Sequence, residues 1–181
     1  MQIIALEPPG NVARDLARYR RELFSLLGEG SALAFPELVP LAFRSLPGKL
    51  PPGALRACWE GIDGAFGSAA PLLSRGLLYL AISGPVAELS ARATAAFGGT
   101  AFGDADLRDA PLEPGIGVFL CRPSDPDRGL REALGIGPPR VVFRDCSLLL
   151  LNLRLGSDPL AAATWRERAR ARRRTGRSAK P

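Results

Sequence analysis

ELVPLAF at residues 37–43 and PGIGVFL at residues 114–120 are the two segments that decide how this chain is read. Each is a short apolar run of strand length that carries a Pro or Gly punctuator. They stand 77 residues apart, counted from Leu38 to Gly115. Before the first segment, Gln2 to Glu7 is a strand-length apolar run closed by Pro8-Pro9-Gly10. A helix follows, with Asn11 as N-cap, apolar residues at Val12, Leu16, Tyr19, Leu23 and Leu26 or Leu27, and Gly28 in the left-handed position that ends it. Around the second segment the order repeats. Leu77 to Ser83 reads as a strand and Gly84-Pro85 as a break. Val86, Leu89, Ala93 and Phe97 then form one helical face up to Gly98, and the strand Gly115 to Cys121 closes the unit. Strand, break, helix, loop, strand occurs twice, which predicts an α+β fold built on a duplicated strand-helix-strand unit.

The intervening and final segments complete the plan. Ala32 to Phe43 reads as extended, and Pro51 to Phe66 as a helix on Leu55, Trp59, Ile62 and Phe66, weakened by Gly61 and Gly64. Asp127 to Leu134 is a short helix ended by Gly135, and a strand runs from Val141 to Leu153. Leu148 to Leu151 is apolar at every position, which predicts a central strand covered on both faces. Residues 1–164 are expected to form one domain, with halves of about 1–70 and 71–164. Residues 165–181 follow as a flexible Arg-rich tail, Trp165 being the last residue expected to pack on the body.

Composition sets further bounds. A hydrophobic share of 46% and a mean hydropathy of +0.06 give the 181 residues enough apolar surface for a core. The chain contains no histidine, so imidazole chemistry is excluded. Cys58, Cys121 and Cys146 are odd in number and widely spaced, which fits neither a disulfide framework nor a zinc site. No window has the roughly 18 uninterrupted apolar residues of a membrane span. The opening MQIIALEPPG lacks the basic and apolar regions of a signal peptide, so a cytoplasmic monomer without membrane attachment or cofactor is expected. Charge is uneven. Arg166, Arg168, Arg170, Arg172, Arg173, Arg174, Arg177 and Lys180 face one acid, Glu167, after residue 164. The rest of the chain, with 16 basic and 17 acidic residues, is close to neutral.

The order of elements, with PELVPLAF and EPGIGVFL as matched closing strands, resembles the two-histidine phosphoesterase superfamily of 2′-5′ RNA ligase-like proteins and cyclic phosphodiesterases. The resemblance covers Ile3 to about Trp165. It implies two lobes, with mostly antiparallel sheets around a central groove and helices outside. In the family each half ends in a His-x-Thr/Ser strand, and the paired imidazoles serve as base and acid on a cyclic phosphodiester. Here the first motif falls on Leu38, Val39, Pro40 and Leu41, and the second on Gly115, Ile116, Gly117 and Val118. Leu38 and Gly115 replace the histidines, and Pro40 and Gly117 replace the hydroxyls. The resemblance therefore implies a degenerate, non-catalytic relative. A second register would put Cys146 and Ser147 in the later motif.

Other chemistry has few carriers. Asp104, Asp106 and Asp109 are the one acidic cluster suited to a hard cation, without the bidentate Glu of a calcium loop. Cys146 lacks a histidine to activate it. The basic tail predicts salt-sensitive attraction for polyanions, but with no aromatic after Trp165 it offers neither stacking nor sequence readout. The expected function is a non-catalytic binding or interaction module, for RNA or a nucleotide. The alternatives are a residual phosphodiesterase using a metal or Cys146/Ser147, and a protein-interaction scaffold with Leu38 on its partner surface.

Overall fold

In a computed structural model, which describes residues 1–29, 36–44, 48–74, 76–97, 117–154 and 164–173, the opening strand is β1, Gln2–Glu7. Helix α1 follows over Gly10–Leu27 and buries Val12, Leu16, Tyr19 and Leu23, one stripe at helical spacing. Gly28 ends it at φ 71°, and its N–H reaches the Phe24 carbonyl at 2.7 Å. Extended Pro9, not Asn11, takes the N-cap position, and no side chain caps the first turn.

The described residues hold four helices and two antiparallel four-stranded sheets, an α+β fold. The first sheet has the order β2 (Val39–Arg44), β1, β7 (Ser147–Arg154), β8 (Thr164–Arg172). The second has the order β5 (Gly117–Cys121), β4 (Leu77–Ser83), β3 (Phe66–Ser74), β6 (Val142–Phe143). Helix α3, Val86–Phe97, lies between β4 and β5 in the chain as α1 lies between β1 and β2, and each strand pair is antiparallel. Helix α3 packs on β2 of the other sheet, where Ser90 Oγ donates to the Leu41 carbonyl at 2.8 Å. The remaining helices are the single turn α2, Ala54–Ala57, and α4, Pro126–Ile136. Tyr19 ties α1 to α4 by donating its hydroxyl to the Ala133 carbonyl at 2.6 Å, and burial raises its pKa.

One core runs through both sheets. Ile4, Leu6 and Leu41 from the first join Leu78, Leu80, Val118 and Leu120 from the second beneath the helices. Each such side chain contributes roughly 1.5–3 kcal/mol by leaving water. Because side chains alternate along a strand, the opposite faces make separate clusters: Ile3, Ala5, Phe43, Leu149, Leu151 and Leu153 on one sheet, Leu77, Tyr79 and Phe119 on the other. This alternation is why the all-apolar run of β7 is covered on both sides. At one end of the first sheet Gln2 Oε1 accepts from Arg44 Nε and Nη2 at 2.9 and 2.6 Å, and Gln2 Nε2 donates to Asn152 Oδ1 at 2.9 Å. That chain pins β2, β1 and β7 in register.

Several expectations are corrected. The helix expected over residues 51–66 is a single turn, because Gly61 and Gly64 adopt φ 69° and 93°, and Phe66 opens a nine-residue strand. Helix α4 runs on to Ile136, past the expected stop at Gly135. The strand expected from Val141 to Leu153 is two, in different sheets. The strands of the second sheet all come from between Phe66 and Phe143, and in the first sheet β7 returns beside β1 with β8 on its far side. The largest change concerns the tail. Its first part is strand β8, paired with β7 from Arg154↔Thr164 to Ser147↔Arg172, and Ala169 and Ala171 pack on the core.

Candidate functional site

The two closing strands, β2 and β5, lie against each other. Leu38 and Pro40 share with Phe119, Ile3, Leu151 and Trp165 an apolar cavity of about 30 Å³, the space of one water molecule. Where the resemblance implies a catalytic groove, the described residues give a small apolar pocket. Gly115 lies outside the described residues. Gly117 opens β5, and a Cβ there would stand 1.9 Å from the Leu80 carbonyl oxygen and 2.8 Å from Ala81 Cα. Glycine is needed because β4's backbone already occupies that space. The position at which the resemblance expects a hydroxyl is closed by a neighbouring strand.

The same sheet face turns polar toward its other end. Ile3 and Ala5 of β1 lead to Glu7, and Leu151 and Leu149 of β7 lead to Ser147. Register aligns Glu7 with Ser147 and Ser147 with Arg172. Here a cleft of about 760 Å³ opens between the β1–α1 turn, Cys146, Ser147, Arg170, Arg172 and Arg173, and Leu38 lines both it and the apolar cavity. Three acids also line the cleft: Glu7, Glu37 and Asp145. Glu7 bonds to Arg170, which also binds Glu167 Oε2 at 2.8 Å, and Glu37 binds Arg20 at 3.0 Å. The Glu167 and Glu7 carboxylates hold the Arg170 pKa above its ordinary value, and the Arg170 guanidinium in turn holds the Glu167 pKa below its own. Arg173 is held too, donating to the Gly64 and Ile62 carbonyls at 2.8 and 2.7 Å and lying 5.6 Å from the ring centres of Trp59 and Phe66. Arg166, Arg168 and Arg172 point from β8 with exposed surface.

Cys146 and Ser147, the alternative motif positions, sit at this cleft but are both buried. Burial pushes the Cys146 thiol up to about 11 despite Arg173 beside it, so it is protonated near neutral pH and a poor nucleophile. Cys121 is pushed up to about 11 and Cys58 upward, both chiefly by burial. All three thiols are free. Asp104, Asp106 and Asp109, and the tail residues Arg174, Arg177 and Lys180, lie outside the described residues. Among the described residues no three His, Cys, Asp or Glu side chains gather as metal ligands, and no helix is long and apolar enough to cross a membrane.

Sequence reasoning missed Glu7, Glu37, Trp59 and Phe119 as site neighbours. The partners of Glu7, Arg170 and Ser147, are more than a hundred residues away in the chain, and no local spacing signals such pairs. A signal for β8 did exist: the alternation of Arg with Ala from residue 168 to 172 is the period of a strand with one face packed. Compared with family models, curated proteins and solved structures, the chain matches none.

Proposed function

We propose that the chain is a non-catalytic binding module, a degenerate relative of the two-histidine phosphoesterases that keeps a two-lobed scaffold and meets polyanions through β8. The observation that carries this reading is that Arg166, Arg168 and Arg172 are exposed along a folded strand, with Arg172 lining an open cleft. Cations held on a strand bind polyanions at lower entropic cost than cations on a loose tail. The small pocket at Leu38, Pro40 and Phe119 supports a protein-interaction scaffold, since the side chains that line it are apolar. RNA or a nucleotide is the second reading, favoured by Arg172 beside Ser147 at the cleft. Residual phosphodiester chemistry at Cys146 and Ser147 is disfavoured by the protonated thiol.

The test is retention of the full chain on an immobilised polyanion, single-stranded RNA and polyglutamate in parallel, across a salt series. Charge reversal by Arg166→Glu, Arg168→Glu and Arg172→Glu together should weaken retention at every salt concentration. On RNA it should reduce the slope of log affinity against log salt by about 2, three contacts at about 0.7 each. Superimposable curves for the parent and the triple variant would remove β8 as the polyanion surface.

A further inference from the structure

We infer that the outer edge of β8 takes an acidic, extended polypeptide as a fifth strand of the first sheet, an inference that rests on the polyanion-binding reading above. Strand β8 is nine residues long and lies last in the order β2-β1-β7-β8. Its inner side is paired with β7 from Thr164 to Arg172 except at Arg168, where the register shifts, and among the described residues no strand pairs with its outer side. Such an edge presents a row of backbone donors and acceptors that a further strand can satisfy. The strand is also braced from behind. Ala169 and Ala171 pack into the core, and the Trp59 indole donates to the Ala171 carbonyl at 3.1 Å.

Charge selects the occupant. Arg166, Arg168 and Arg172 are exposed, and the acid within β8, Glu167, is already bonded to Arg170. A second copy of this edge would set arginine against arginine, which destabilises a cross-strand pair, whereas carboxylates on an incoming strand would meet cations. Nucleic acid would use the charge but not the backbone row. It would also find no stacking surface, because the one aromatic of β8, Trp165, packs into the apolar cluster of Ile3 and Leu151. Main-chain pairing and carboxylate contacts together describe an acidic polypeptide in extended form.

The experiment uses the full chain and three fluorescent probes. One is a short peptide of alternating Glu and Val, the second is the same peptide N-methylated at alternate residues so that its pairing edge loses N–H groups but no charge, and the third is an oligouridylate of equal charge. Binding is followed by anisotropy at low salt, and backbone amide exchange reports on β8. The inference predicts that the plain peptide binds, that N-methylation weakens it at least about tenfold, that residues 164–172 gain protection, and that the oligouridylate binds less tightly than the plain peptide. Equal binding of the two peptides, unchanged exchange of β8, or tighter binding of the oligouridylate would overturn strand addition and leave the polyanion reading standing. If none of the three probes bound, both would fall.

Discussion

Gly117→Thr, which restores the residue type the family resemblance puts at that seat, is expected to lower the stability of the fold by about 3 kcal/mol and to restore no activity. The cause is steric. A Cβ at residue 117 would lie 1.9 Å from the Leu80 carbonyl oxygen and 2.6 Å from its carbon, atoms of a backbone with no rotamer to escape into. Strand β4 cannot withdraw, because it is hydrogen-bonded to β3 on its other side and sends Leu78 and Leu80 into the core. Denaturant titration of the two proteins measures the difference. A change within about 0.5 kcal/mol, the range of an ordinary surface substitution, would mean that residue 117 has free space and that the seat is vacant, not closed.

Glu37→Ala is expected to destabilise by about 3 kcal/mol, the lower end of the range for removing one partner of a buried ion pair. Arg20 is 1% exposed and is held by Glu37 at 3.0 Å. Burial lowers the Arg20 pKa, and Glu37 opposes that shift. Without the carboxylate the buried guanidinium loses its charge-assisted bond to Glu37. The lower end applies because the Glu37 side chain is 27% exposed, so water screens part of the loss. Adding Arg20→Met should recover most of the stability, since an apolar side chain of similar length carries no charge to compensate. The double-mutant cycle reads this coupling by chemical denaturation. A cost for Glu37→Ala below about 0.5 kcal/mol would reduce the contact to a surface pair. The effect bears on the site because Glu37 directly precedes Leu38, at the junction of the open cleft and the apolar cavity.

Much of the fold was legible because local signals and burial agree. The stripe Val12, Leu16, Tyr19, Leu23 predicts α1, and Gly28 ends it at the left-handed φ the sequence implies. The apolar run Leu148–Leu151 predicts a strand covered on both faces, and β7 lies between β1 and β8 with those leucines divided between two clusters. Failures came where one pattern served two geometries. Leu55, Trp59, Ile62 and Phe66 all belong to the core or pack against it, but a turn with two left-handed glycines presents them there, not a helix. The arginine run shows the same ambiguity: high charge suggests a solvated tail, whereas Ala169 and Ala171 between the arginines are the inward residues of an edge strand. The site was less legible than the fold. Leu38 and Pro40 were singled out from the sequence, yet the atoms that fill the space beside them belong to Phe119 and Trp165. The closure of residue 117 depends on a carbonyl of a neighbouring strand, a contact no sequence pattern specifies.

Between β2 and β5, Leu38, Pro40 and Phe119 line an apolar pocket where the resemblance expects an imidazole pair. Incubation of the purified full chain with a 2′,3′-cyclic nucleotide, with and without chelator, and counting of the monophosphate released decide whether phosphodiester chemistry takes place there. No release above the protein-free control is expected in either condition. Monophosphate formed in proportion to the protein, and undiminished by chelator, would contradict the non-catalytic reading.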